Sequence, residues 1–140
     1  MAGMEVVIEK LIKMREYIEQ LGKIKPNTFD EYIRNLISKY AVERLIQLVV
    51  DLALDINNIL LAYVKEPPAP DYYNSFIDLS ECNVLERSFA FSIAPSTGLR
   101  NRLVHEYERI NDEVIYKSID KIIDMYNSYM ATVNEFIKGK

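Results

Sequence analysis

The sequence predicts an all-α bundle of five or six helices, and three observations carry that prediction. Apolar residues recur at spacings of three and four along most of the chain, and period-two runs bounded by turn dipeptides, the mark of strands, are absent. A hydrophobic content of 49% with only 4 Gly and 5 Pro marks a globular chain, not a disordered one. At 140 residues it is expected to form one domain, spanning residues 1–140.

The elements follow in order. Val7, Leu11, Met14, Ile18 and Leu21 place a first helix from about Met4 to Leu21, with Gly22 to stop it. Thr28 and, three residues on, Glu31 form a capping box that opens the next segment, with Pro26 just outside. From Thr28 to about Val64 there is no Gly or Pro, so this is one long helix or two joined at a kink, ended by "KEPPAPDYY". The "EPPAP" run reads as a stiff connector in preference to a polyproline ligand. Two short helices should follow, one over about Tyr73 to Leu79 and one from an Asn83 N-cap to about Ile93. Pro95, Ser96, Thr97 and Gly98 then break the chain before a helix from Leu99 to about Ile110. "NDE" at 111–113 caps a last helix carrying Val114, Ile119, Ile122, Ile123, Tyr126, Met130, Val133 and Ile137. No repeat at solenoid spacing and no low-complexity tract appears.

Composition narrows the function classes. A formal charge of −4 argues against a broadly basic nucleic-acid coat, so any RNA contact must rest on a local cluster. Cys82, the single cysteine, has no internal disulfide partner and no Cys or His nearby at zinc-ligand spacing; it reads as a buried thiol in a cytoplasmic protein. "MAGMEVVIEKLIKMREY" has no uninterrupted apolar stretch of the kind an export signal needs. "LIQLVVDLALDINNILLAYV" is long enough to span a bilayer but carries Asp51, Asp55, Asn57 and Asn58, so it is read as a core helix with no membrane partner.

One stretch, "STGLRNRLVHEY", gathers the only histidine, two arginines, an amide and a phenol. At ~100° per residue, with Leu103 and Ile110 as the core stripe, Asn101, Arg102, His105, Arg109 and Asp112 fall on the opposite side. That face is either solvated charge or a site. Arg100, in the first turn after a Gly-containing loop, can bring its guanidinium fork to the helix N-terminus, where an anion such as phosphate is favoured. Imidazole titrates near neutrality and can take a proton from a 2′-hydroxyl or return one to a leaving oxygen. Arg100 and Tyr107, seven apart, should lie at nearly the same helical angle. In the long helix, Arg44, Gln47, Asp51, Asp55 and Asn58 share a third of the circumference. They form a solvent stripe, the slightly favoured reading, or the wall of a polar cleft. Asp51 and Asp55 suit a metal or an acid–base pair only weakly, since no ligand histidine or phosphate loop accompanies them, and no metal or other cofactor is expected.

"GLRNRLVHEY" resembles the signature of the HEPN superfamily, and within it of the HepT-like toxins: Arg, four spacers, His, one spacer, Tyr, with Asn directly after the Arg. Here these are Arg100, Asn101, His105 and Tyr107, and the likeness extends to the upstream long helix, the "FIDLSECNVLERSF" segment and the final helix. The resemblance implies a HEPN-type bundle that dimerises through the motif helices, as a homodimer or dimer of dimers. It implies a metal-independent endoribonuclease toxin, acting on RNA and not on DNA, partnered by an MNT-type nucleotidyltransferase antitoxin that transfers AMP to the motif tyrosine. Arg100 would then stabilise the scissile phosphate, His105 act as acid or base, Asn101 orient the site and Tyr107 accept the modification. Arg102, outside the motif, is a candidate RNA-backbone contact. Two rivals stand beside this reading: a nucleotide-binding module without cleavage, and a scaffold for the nucleotidyltransferase.

Overall fold

The computed structural model describes residues 4–139; the first three residues and the last of the expected 1–140 domain lie outside them. Among the described residues every regular element is helical: α1 (Met4–Ile24), α2 (Phe29–Arg34), α3 (Leu36–Tyr63), α4 (Tyr72–Glu81), α5 (Arg87–Ile93), α6 (Ser96–His105), a 3₁₀ turn (Tyr107–Arg109) and α7 (Asp112–Lys138). Taking the six-residue α2 as the first arm of the kinked segment, this is the six-helix bundle expected.

Each predicted apolar position of α1 is buried. The helix does not stop at Gly22, however. It runs to Ile24, and Pro26 ends it by excluding helical geometry from the residue before it. The capping box forms, with Thr28 Oγ1 accepting from Glu31 N at 3.1 Å and the Glu31 carboxylate accepting from Asn27 N at 3.2 Å. The kink falls at Asn35, whose extended backbone closes α2 while its side chain caps α3 by accepting from Ser38 N.

α3 is the axis of the molecule. By length and composition it could cross a membrane, but it is a core helix packed by α1, α2, α4, α6 and α7. Its one fully buried amide, Asn57, is satisfied from both sides: its Nδ2 donates to Ser75 Oγ of α4 at 3.0 Å, and its Oδ1 accepts from Tyr129 OH of α7 at 2.6 Å. A single polar knot thereby registers three helices.

Two expectations around the motif are corrected. Asn83 does not cap α5; it stands at φ 64°, the left-handed conformation that finishes α4, and Glu86 precedes α5 instead. Pro95 to Gly98 do not form a loop. Pro95 is itself in helical geometry, where its missing N–H costs nothing at a helix start, and α6 begins at Ser96. Ser96 Oγ donates to Ile93 O at 2.7 Å and Thr97 Oγ1 to Ala94 O at 2.8 Å, so the hydroxyls hold the short joint between α5 and α6. The far end is corrected too. α6 ends at His105, not near Ile110, because the backbone leaves helical geometry at Glu106 and tightens into the 3₁₀ turn.

Candidate functional site

The motif helix is held at its first turn by a buried hydroxyl pair, Ser96 Oγ and Tyr126 OH of α7, 2.7 Å apart. Leu99 and Leu103 bury the inner stripe, and Arg100 is carried to the edge of α3. There its Nε donates to Asp51 Oδ1 at 2.6 Å, Nη1 donates to Asn101 Oδ1 at 3.2 Å, and the guanidinium lies 5.1 Å from the centroid of the Tyr72 ring. The side chain is only 13% exposed. Three elements thus fix one cation: a carboxylate along one edge, an amide at a second, and an aromatic face beside it. Nη2 has no hydrogen bond to another described residue.

His105 is the last residue of α6 and is exposed, with no hydrogen bond or ion pair to another described residue. It borders an open depression of about 370 Å³ together with Asn101, Glu106, Asp71 and Tyr72. Asp71 is there because it caps α4, accepting from Asn74 N at 2.7 Å. Asn101 and His105 therefore share one opening whose other wall is Asp71 and Tyr72 at the start of α4, and Arg100 joins it only indirectly, through its contacts with Asn101 and the Tyr72 ring.

Tyr107 does not lie on the motif helix, so its equal helical angle with Arg100 is not realised. The 3₁₀ turn swings it to the α3 side, where its OH donates to Glu43 Oε1 at 2.6 Å. Glu43 is 6% exposed. Its Oε2 lies 3.1 Å from Lys39 Nζ, which is in turn 3.3 Å from Asp112 Oδ1 and sits against the rings of Tyr40 and Tyr107. Burial, followed by the bond to Glu43 and its charge, pushes the Tyr107 phenol up to about 12. Burial alone disfavours the Lys39 ammonium, but Glu43 and Asp112 outweigh it and raise its pKa.

Arg102 is exposed on a different side. It lines cavities of about 250 Å³ and 170 Å³ against α5 and α7, the first with Lys121 and Met125, the second with Arg109. The expected shared face with Asn101 and His105 is thus divided. The α3 stripe divides as well: Arg44 and Asn58 face solvent, Asp55 pairs with Lys10 of α1 at 3.2 Å, and Asp51 stands in the wall of the site. With each aspartate taken by a separate cation, the pair is not arranged to share a metal.

Three participants escaped the reading of the motif. Tyr72 and Lys39 could be found only from the fold. Glu43 carried a legible signal, since it interrupts the buried face that Val42, Ile46, Val49 and Val50 otherwise keep apolar.

Comparison with known proteins bears on the family and the fold. The family model described as "Ribonuclease HepT-like" matches residues 14–133. The tRNA nuclease HepT of Aphanizomenon flos-aquae is 32% identical over 133 residues, covering 94% of this chain and 90% of that protein. Among solved structures, a tri-AMPylated Shewanella oneidensis HEPN toxin in complex with an MNT antitoxin superposes with a TM-score of 0.85 at 15% identity, covering 93% of this chain and 97% of that one. A cytosolic protein of unknown function, YutE of Bacillus subtilis, superposes with a TM-score of 0.77 at 16% identity, covering 94% and 90%. The two superpositions speak to the fold.

Proposed function

This chain belongs to the HepT-like ribonuclease family, and from that membership we propose that it is the metal-independent endoribonuclease toxin of a HEPN/MNT toxin–antitoxin pair. The observation that carries the reading is the juxtaposition of a fixed guanidinium with an exposed imidazole. Arg100 is locked by Asp51 and Asn101, and Asn101 in turn lines one depression with the exposed His105.

The chemistry follows from those groups. The 2′-oxygen of a ribose attacks the adjacent phosphorus and gives a 2′,3′-cyclic phosphate and a 5′-hydroxyl. Arg100 stabilises the charge that grows on the phosphoryl oxygens, and because it is held in advance, little reorganisation is needed. His105 moves a proton, taking it from the 2′-hydroxyl or giving it to the leaving 5′-oxygen. One imidazole in one protomer does only one of these at a time. A composite site between two protomers supplies both, so the active species is a homodimer or a dimer of dimers with facing motif helices. Val104, exposed beside His105, supports burial of this face in an assembly. The A. flos-aquae relative makes tRNA the first substrate to try. Arg102, with Lys121 near it, contributes a backbone contact on the flank of the site.

Control by the antitoxin acts on Tyr107. An AMP group on its oxygen adds a negatively charged phosphate and a nucleoside beside the motif, and RNA is excluded by charge and bulk. The tri-AMPylated S. oneidensis toxin supports this acceptor chemistry, and the cytosolic B. subtilis neighbour supports a cytoplasmic location.

The deciding experiment compares cleavage of a tRNA by wild type and His105→Ala in EDTA. Wild type should cleave, and the variant should fall by about 10²–10⁴ with unchanged helicity, because an exposed imidazole adds little to the core. Loss of wild-type activity on chelation would refute metal independence. Equal activity in the variant would refute the role of His105.

A further inference from the structure

The bond between Tyr107 and Glu43 joins the modified residue to a buried carboxylate, and burial of an acid costs free energy that this site recovers only through its partners. We infer that Glu43 is the general base for Tyr107, accepting the phenolic proton as the oxygen is nucleotidylated. This deepens the reading given above and rests on Tyr107 being the acceptor.

The step balances simply. The Tyr107 oxygen attacks the α-phosphorus of a nucleoside triphosphate held by the nucleotidyltransferase. A phosphorus–oxygen bond forms to the phenol, the bond from the α-phosphorus to the bridging oxygen breaks, and pyrophosphate leaves. The phenolic proton passes along the existing hydrogen bond to Glu43 Oε1, 2.6 Å away, and afterwards to water.

The surroundings argue for a base and not merely a strut. With the phenol pushed up to about 12, only on the order of one molecule in 10⁵ carries a phenolate at pH 7, so attack without an acceptor is slow. Lys39 from its own helix, Tyr32 from α2 and Tyr107 face Glu43, with Asp112 of α7 and Tyr40 behind them against Lys39. Lys39 is the one cation among them and occupies Oε2, which leaves Oε1 directed at the phenol. Tyr107 as a residue is 46% exposed, so a partner can approach it from the side away from Glu43. Arg100 cannot take this proton, being permanently charged, and no contact links His105 to the Tyr107 hydroxyl.

The test uses the full chain, an MNT-type nucleotidyltransferase that modifies it and ATP, with intact-mass spectrometry reading the initial rate of AMP addition at Tyr107. Glu43→Gln should slow addition by about 10²-fold or more at pH 7 through kcat, with little change in the KM for the toxin as substrate. In that variant the rate should climb about tenfold per pH unit towards the pKa of the phenol, whereas the wild-type rate should not. A fluorinated tyrosine at position 107, which ionises nearer neutrality, should restore most of the lost rate. A purely structural tie would not be repaired in this way. If Glu43→Gln melts early, Glu43→Asp, which keeps the charge beside Lys39 but shortens the reach, should show a smaller loss with the same fluorotyrosine rescue. Wild-type rates in Glu43→Gln, or a slow variant that fluorotyrosine leaves slow, would overturn the inference while leaving Tyr107 as the acceptor. No AMP on wild-type Tyr107 would overturn both.

Discussion

Arg100 of α6 and Asp51 of α3 meet with 2.6 Å between Nε and Oδ1, and this contact fixes the guanidinium of the motif against α3. On the proposed reading, Asp51 acts through Arg100 and not on substrate. Asp51→Ala should lower kcat/KM for RNA cleavage by about tenfold, roughly 1.4 kcal/mol of lost positioning. Asp51→Asn, which keeps an oxygen acceptor, should lose less. Both should unfold within about 1 kcal/mol of wild type, since the pair is only partly buried. Steady-state kinetics with urea unfolding checks all three statements.

Assembly is a separate expectation. A composite site requires two copies, so light scattering at micromolar concentration should give at least twice the chain mass. Val104→Glu should shift the population towards monomer and reduce cleavage in proportion, because it sets a charge beside His105 on the face to be buried. A fully active monomer would leave a single-protomer site as the better account.

The polar knot at Asn57 should be expensive to cut. Asn57→Ala removes the partner of Tyr129 OH and of Ser75 Oγ inside the core, and should destabilise the protein by about 1–3 kcal/mol in urea unfolding. Tyr129→Phe orphans only one side of the same amide and should cost less.

Alkaline pH separates the tyrosines. The folded state raises the Tyr107 phenol from 10.0 to about 12, so between those values the unfolded chain has lost a proton that the folded chain keeps. Stability from this group is complete below about pH 10 and falls as the pH rises towards 12. Tyr32, Tyr126 and Tyr129 are also raised by burial and act with the same sign. Tyr107→Phe should therefore flatten, without abolishing, the decline of melting temperature above pH 10, and absorbance titration should show one fewer phenol ionising near pH 12.

What was legible in the sequence was what depends on local spacing. The buried stripe of α1, the Thr28–Glu31 box and the gathering of Arg100, Asn101 and His105 each follow from residues within a few turns of one another. What was not legible depends on contacts far along the chain. The motif helix was expected to continue through Tyr107, and nothing local says otherwise. The turn at Glu106 goes with the bond from Tyr107 to Glu43, 64 positions away from that tyrosine, which propensity cannot register. The same holds for Tyr72, which reaches Arg100 only because α4 folds back over α3. Residue type alone reads Gly22 and Gly98 as breakers. A Cβ at Gly98 would meet no atom within 4 Å, and one at Gly22 only a side-chain methyl at 4.0 Å, so neither site demands a glycine for room.

α3 touches the motif segment twice, at Glu43 for Tyr107 and at Asp51 for Arg100. Those anchors are eight residues apart, about 12 Å along the helix and about 80° around it. The helix therefore serves as a gauge: the separation of the two motif side chains is set by counting residues on an element that contributes nothing to the motif itself. Substitutions between the anchors can drift as long as the side facing the core stays apolar. A single inserted or deleted residue there would rotate one anchor by about 100° relative to the other and uncouple Arg100 from Tyr107. Lineages of this fold should accordingly vary in length at the connector over residues 64–71 and hold it constant over residues 43–51.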